Sequence, residues 1–147
     1  MSFLGQTGVV ILRTAGPDDA GWIDEQYEQA GFIPSDLAVD TVVLAELDGT
    51  RAGLGRLVPV GNGALELGGM FIRDGFRGRG VARAIVEELI RRAGNADVYC
   101  VPFADLEAFY GSVGFRRVAA DGAPAKVHEK LEWCAREIRR PVILMKL

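Results

Sequence analysis

Cysteine is scarce in this chain: Cys100 and Cys134 are its only two. Two thiols so far apart supply neither a disulfide framework nor a zinc site. Each falls within an apolar pattern, where a reduced thiol packs as a small hydrophobe. Histidine is scarcer still. His128 stands alone, one position off the apolar stripe of a late helix, and reads as a surface residue. No metal site is expected. Long hydrophobic runs are missing as well, since nothing approaches the roughly 20 apolar residues that span a bilayer. The opening "MSFLGQTGVVILRT" has no basic start and no small-residue cleavage site. The expectation is a cytoplasmic protein with no membrane partner. Repeats, low-complexity tracts and Pro/Ser-rich linkers are absent too, so residues 1–147 read as a single domain.

An excess of positive charge is also lacking. The formal net charge is −3, which argues against nucleic acid, because phosphate backbones are bound by net basic surfaces. The total hides an asymmetry. Residues 1–70 carry ten acids and three bases, −7, whereas residues 71–147 carry ten acids and fourteen bases, +4. A bipolar chain of this kind suits an anionic ligand on one side and a cationic one on the other.

What is present is an ordered alternation of strand and helix patterns. The β-branched run "VVILRTA" (9–15) stops at Gly16-Pro17, and Pro17-Asp18-Asp19 opens a helix reaching Ala30-Gly31. Pro34 and Ser35-Asp36 divide "FIPSDLAVD" into a turn with room for a short helix. "TVVLAELDGTRAGLGRLVPV" is a hairpin about Asp48-Gly49, a dipeptide that accepts the positive φ of a tight turn. Gly61-Asn62-Gly63 leads into "ALELGGMFI", whose paired glycines, Gly68 and Gly69, mark a bulge or a close approach to the backbone. From Val81 to Ala93 apolar residues recur at helical spacing. "DVYCV", a short helix through Leu106 and Tyr110, "FRRV", a helix with Val127, Leu131 and Cys134 on one stripe, and the strand "VILMKL" complete the chain. The order, βα(α)βββαβαβαβ, predicts an α/β fold with a mixed sheet.

Between "GGMFI" and the helix at Val81 lies "GFRGRGVAR" (75–83), with Arg77, Arg79 and Arg83 crowded into the mouth of a helix. The first turn of a helix already carries about half a positive charge, so arginine there calls for a counter-anion. A P-loop would require Gly-Lys-Ser/Thr, which is absent. A dinucleotide fingerprint begins at Gly78 and Gly80 but meets Arg83 where a third small residue belongs. What remains is a nest: Gly78 and Gly80 let successive N–H groups converge on one point, with the helix dipole behind them, a site suited to a pyrophosphate.

Arg77-x-x-Gly80-x-Ala82, placed after a strand and before a helix, resembles the R/Q-x-x-G-x-G/A loop of the GNAT superfamily of acyl-CoA-dependent N-acetyltransferases. "FYGSVGF" (109–115) is similar to that family's second signature, a helix ending in Tyr followed by Gly-Phe. The resemblance runs from about residue 9 to 118 and includes the final strand. It implies a mixed, mostly antiparallel sheet flanked by helices, with the parallel strands "GGMFI" and "DVYCV" splayed apart. It further implies acetyl-CoA as cosubstrate. Main-chain groups of Met70, Phe71 and Ile72 would then meet the pantetheine, and the amides of Gly78, Arg79, Gly80, Val81, Ala82 and Arg83, helped by Arg77, would hold the pyrophosphate. Tyr110 matches the residue that protonates the departing thiolate. A phenol with a pKa of ~10 is fully protonated at neutral pH and suited to that task. Glu66, six residues before Ile72, matches the glutamate base of the histone-acetylating branch, provided no bulge intervenes; ordered water is the alternative base. The chain departs from the family at Phe103 and Leu106, where a pantetheine-binding Asn and an Ala are usual, and its segment 121–140 is longer than usual, a candidate specificity element or homodimer contact.

The resemblance thus implies transfer of an acetyl group from acetyl-CoA to a primary amine by direct attack. Asp18, Asp19, Asp24, Glu25, Glu28, Asp36 and Asp40 gather where the family shapes its acceptor side, which points to a cationic small-molecule or peptide amine, with Trp22, Tyr27 and Phe32 as either its apolar wall or ordinary core. An amino acid N-acetyltransferase, which would present arginine to a substrate carboxylate, and a non-catalytic acyl-CoA sensor are the other open readings.

Overall fold

The β-branched segment after Val9 forms an edge strand, β1 (Val10–Thr14), and Pro17–Asp19 makes a single 3-10 turn that feeds helix α1 (Ala20–Ala30). The computed structural model describes residues 8–147; the first seven residues, part of the stretch weighed above as a possible leader, lie outside them. Helix α1 ends where the sequence places its stop, at Gly31, whose φ of 76° is left-handed. No helix follows in residues 32–40. The carboxylate of Asp36 accepts the Ala38 N–H at 2.9 Å and that of Asp40 accepts the Asp36 N–H at 3.0 Å, so side chains take up amides that a helical turn would use.

Strands β2 (Thr41–Leu47) and β3 (Thr50–Gly61) are joined at Asp48-Gly49, with φ values of 53° and 78°; a second tight connection, with Asn62 at 54° and Gly63 at 77°, leads into β4 (Ala64–Ile72). Helix α2 (Val81–Ala93), β5 (Val98–Cys100), a 3-10 turn with helix α3 (Glu107–Ser112), β6 (Arg116–Arg117), helix α4 (Ala125–Glu137) and β7 (Met145–Lys146) follow. The hydrogen-bonded order is β1-β2-β3-β4-β5-β7-β6. The sheet is mostly antiparallel with one parallel pair, β4 with β5, as the fold class predicts. No described helix is long and apolar enough to cross a membrane.

The chain divides into two compact units. One comprises the chain up to Arg56 together with Gly69–Leu89; the other comprises Leu57–Gly68 and Ile90–Leu147. In the first, β3 alternates. Gly55 faces α2, where a Cβ would lie 2.5 Å from Met70 Sδ and 2.9 Å from Ile85, so glycine is what lets the helix close on the strand; Gly53 lies against Phe71 and Ile72 of β4. Leu54 faces the other way, into a cluster with Ile23, Tyr27, Val42 and Leu44, against which Trp22, Phe32 and Phe71 pack. Each fully buried aliphatic side chain of this kind contributes roughly 1.5–3 kcal/mol. In the second unit, Val60, Ala64, Tyr99, Val127 and Leu144 form the corresponding cluster beneath α4.

Two polar devices lock the first unit. Asp19, 3% exposed, accepts paired hydrogen bonds from Arg13 at 2.8 Å, one from Arg51 at 2.9 Å and one from the Gly16 N–H at 2.8 Å. The Arg13 guanidinium holds the Asp19 carboxyl well below the usual carboxylate range, against the opposing effect of burial. The second device is the hydroxyl of Tyr27, a fully buried residue, which donates to the Gly69 carbonyl at 2.8 Å. Gly69 sits at φ 58°, left-handed in the middle of β4, and a Cβ there would meet Tyr27 Oη at 2.5 Å and Arg56 Nε at 2.8 Å. The close approach foreseen at the glycine pair is therefore made by Tyr27 and Arg56, and strand alternation is interrupted between Glu66 and Ile72.

Asp19→Asn should lower stability by ~2 kcal/mol, as expected for lost hydrogen bonds to charged groups. Because the folded-state pKa of Asp19 is depressed, its contribution is complete above the unfolded carboxyl value of ~4 and is lost as pH falls below it. Wild-type and variant denaturation midpoints should thus converge on acidification; a constant gap from pH 7 to pH 2 would refute the assignment. Gly69→Ala combines left-handed strain with a clash and should cost about 1–3 kcal/mol, measurable by urea unfolding.

Candidate active site

Helix α2 begins at Val81, which is 1% exposed and anchors the helix start to the core, while residues 77–80 before it are exposed. Gly75, Gly78 and Gly80 have φ of 91°, 74° and 81°, and a Cβ on any of them would meet no atom within 4 Å. The loop is thus bent as a nest requires, and its glycines face open space. The Ala84 N–H donates to the Gly80 carbonyl at 3.1 Å, which closes the first helical turn and leaves the amides of Val81, Ala82 and Arg83 at the helix mouth. Arg77 Nε donates weakly to the Ile72 carbonyl at 3.4 Å and its guanidinium lies 3.6 Å from Asp74, a pair exposed on both sides. Arg83 is 3.8 Å from Glu87. Arg79 is exposed. Such surface pairs are worth little and yield readily to a stronger anion.

The strand feeding this loop has its own asymmetry. The β4–β5 register runs Leu65↔Val98, Glu66↔Tyr99 and Leu67↔Cys100, and ends there with β5. Beyond Cys100 the chain pairs elsewhere: the Pro102 carbonyl accepts Ile143 N–H at 3.0 Å, and Phe103 bridges Val142. Gly68–Ile72 therefore runs on with no β5 partner. Of the three residues expected at the pantetheine, Met70 and Ile72 lie over the β3 glycines, Phe71 packs into the α1-side cluster, and all are half-buried.

In the other unit, Glu66 is 8% exposed and its Oε2 accepts from Lys130 Nζ of α4. A Cβ on Gly68 would lie 3.1 Å from Glu66 Oε2 and 3.4 Å from Lys130 Nζ, so the ion pair lies against the β4 main chain. Tyr110, 6% exposed on α3, stands edge-on to Phe109 at 5.0 Å and to Phe115 at 5.9 Å. Its hydroxyl makes no hydrogen bond with the described residues, and burial, followed by neighbouring Cys100, pushes the phenol up from its ordinary value. Cys100 and Cys134 are free, buried thiols, both pushed up by burial, as expected for packing residues. Among the described residues no group of acids, histidines and cysteines could hold a metal. Phe103, at the position of the expected Asn, lies under the Arg140 guanidinium at 3.7 Å, and Arg140 in turn pairs with Asp105 at 2.9 Å.

The acids of the first half divide. Asp19, Asp36 and Asp40 are committed to local bonds, whereas Asp18, Asp24, Glu25 and Glu28 are exposed. A cavity of about 590 Å³ is lined by Pro17, Asp24, Ser35, Asp36 and Leu37 among others; none of its residues belongs to β4, the glycine loop or α2. Tyr27, weighed above as an acceptor wall, is core. Two residues escaped the sequence reading. Lys130 falls three positions after Val127, beside the stripe of α4. Arg56 falls two positions after Leu54, a charge in phase with a core residue, which was the available signal.

Many solved structures share this architecture, three of them as follows. A Mycobacterium tuberculosis protein crystallised with CoA superimposes with a TM-score of 0.73 at 18% identity, covering 93% of this chain and 98% of the other. An acyl-CoA N-acyltransferase from Pseudomonas aeruginosa gives 0.67 at 17% identity, covering 95% and 98%. N-acetylglutamate synthase from Neisseria gonorrhoeae, complexed with coenzyme A and N-acetyl-glutamate, gives 0.71 at 14% identity; the match covers 95% of this chain but 35% of that one. No curated protein matches the chain at the sequence level. The sequence profile of the acetyltransferase (GNAT) domain does, across residues 38–117, which takes in β2 to β6 with the glycine loop and Tyr110. With more than half of its 147 residues so matched, the chain belongs to the GNAT acetyltransferase family and is an acyltransferase.

Proposed function

We propose that this chain, as one N-acetyltransferase domain over residues 1–147, moves an acetyl group from acetyl-CoA to a primary amine by direct attack on the thioester. The observation that carries the proposal is the open, left-handed bend at Gly78 and Gly80 in front of α2. A pyrophosphate held there would accept N–H bonds from Gly78 to Arg83, draw Arg77 from its weak surface contacts and lie within reach of the exposed Arg79. The stretch of β4 that has outrun β5 has main-chain groups on that edge for the pantetheine at Met70, Phe71 and Ile72, and for the oxyanion as the carbonyl becomes tetrahedral. Similar folds crystallised with CoA support the choice of carrier.

In this mechanism Tyr110 donates its proton to the departing thiolate. Its burial keeps the phenol protonated beyond the ordinary range, so the acid is available throughout neutral and mildly alkaline pH. Either water alone accepts the ammonium proton, or Glu66, oriented by Lys130, accepts it through water; the break at Gly69 removes the strand alternation on which the match of Glu66 to a glutamate base depended. Helix α4, the long insert, would then serve specificity through Lys130. A second reading, an amino acid as acceptor, is favoured by the synthase complexes with N-acetyl-glutamate and with L-arginine.

Thiol release from acetyl-CoA with a panel of amines tests the reaction; CoA binding without thiol release from any amine would leave only the sensor. Tyr110→Phe should lower kcat about a hundredfold with the CoA Kd unchanged. In wild type the alkaline limb of the pH–rate profile that reports this proton should fall above ~10, since activity is lost only as pH rises through a raised phenol pKa. Arg77→Ala with Arg79→Ala should weaken CoA binding roughly three- to tenfold and flatten its salt dependence, as measured by calorimetry at two ionic strengths.

A further inference from the structure

Residues 1–70 contain three bases, and the structure treats them unequally. Arg13 and Arg51 share Asp19, and Arg13 also bonds Glu46 at 2.9 Å. Arg56 has no acid. It is 9% exposed, Nη2 donates to the Ile33 carbonyl at 3.0 Å, and Nη1 is buried without an acceptor. Its guanidinium lies over the Tyr27 ring, 4.5 Å from the centroid. Tyr27 is not a counter-ion: burial pushes its phenol up despite the nearby cation, and its proton is given to the Gly69 carbonyl. Asp40, whose charge is felt at Tyr27, is held by Ser35 at 2.7 Å and the Asp36 N–H, and forms no ion pair with Arg56. A buried charge is costly unless paired, and a donor left unmatched adds to the cost. In a segment with ten acids, a buried arginine matched by none of them has donors suited to an anion.

We infer that Arg56 binds the carboxylate of the acceptor, and that the acceptor is an amino acid acetylated on its α-amino group. Nη1 and the remaining N–H of Nη2 form the planar fork that a carboxylate matches with two bonds. The ring of Tyr27 fixes the plane of that fork. Arg56 Nε lies against Gly69, immediately before Met70–Ile72 on the strand that the proposed function assigns to the thioester. In an α-amino acid the nitrogen is two bonds from the carboxyl carbon, so a carboxylate anchored there brings the nucleophile toward that strand. The inference names a substrate class for the acetyl transfer proposed above and rests on that transfer for its amine, though not for its anion.

The test uses the intact protein and the L-amino acids in matched sets: free acid, carboxamide, and decarboxylated amine. Wild type should show a rise in melting midpoint with at least one free acid and none with its carboxamide. The ratio of kcat/KM for acid over carboxamide should be about a hundredfold or more, because a site built to pair a polar group rejects analogues lacking it. In Arg56→Gln the ratio should collapse to within a few-fold, mainly through KM, and the melting midpoint without ligand should equal or exceed that of wild type, whereas a purely structural arginine would lower it. Arg56→Lys, which keeps charge but not the fork, should fall between and carries the comparison should the glutamine variant not fold. Equal turnover of acids, carboxamides and decarboxylated amines would overturn the carboxylate site and leave acetyl transfer standing. Stabilisation by a free acid that depends on Arg56, without turnover of any amine, would do the reverse. If no free acid stabilises the protein and none is turned over, the inference is overturned.

Discussion

The hydrogen bond from Tyr27 to the Gly69 carbonyl is the constraint on which the β4 strand depends. A strand that kept its alternation through residues 64–72 would present one continuous edge. Instead Gly69 turns left-handed at φ 58°, and the fully buried Tyr27 secures that turn at 2.8 Å. Only glycine fits, because both the dihedral and the space belong to others: Tyr27 Oη on one side, Arg56 Nε on another. The part of β4 paired with β5 ends at Leu67, and the part that approaches the glycine loop begins just past the break. One residue thus separates a strand segment paired with both β3 and β5 from one whose β5-side edge is available for other partners.

Around that break the charges follow a consistent physical logic. Carboxylates that stay inside are matched: Asp19 by two arginines, Glu66 by Lys130. Arginines at the helix mouth remain outside, where water screens them and their pairs are weak. Arg56 obeys neither rule, being inside and without an acid. Burial of an unmatched charge persists in a folded protein only when something else holds the side chain in place. Here the Tyr27 ring and the Ile33 carbonyl do so.

Much of this was legible in the sequence because it rests on local chemistry. The Asp48-Gly49 and Asn62-Gly63 turns, the Gly31 stop and the α2 stripe were specified by residues with few conformational options, and the structure has them where the sequence puts them. The bend of the loop at Gly78 and Gly80 was equally readable. What was not readable is what depends on distant partners. Asp36 and Asp40 look like helix-compatible surface acids until their carboxylates take main-chain amides. Glu66 looks solvent-facing until Lys130, 64 residues away, meets it. Tyr27 could have been a binding wall or core by pattern alone, and only its contact with Gly69, 42 residues distant, decides for core. Arg56 left a trace, its phase with Leu54, but the absence of a partner acid is a three-dimensional fact.

The glycine loop and Arg56 have a common electrostatic consequence. In both places the chain holds positive character that its own residues do not fully neutralise: the amides and arginines at the mouth of α2, and the guanidinium over Tyr27. Each raises the free energy of the unliganded fold, modestly where solvent screens the charge and more where it is excluded. An anion that binds either place relieves that cost, so part of its binding energy is drawn from strain already present in the empty protein. The same linkage makes anion binding raise stability in proportion to the logarithm of ligand concentration over its dissociation constant. Under the proposed function the two anions are parts of different substrates, a pyrophosphate and a carboxylate, and each is matched to its own cation. A molecule carrying only one of them gains from one place alone, which makes the arrangement selective for the pair that can react.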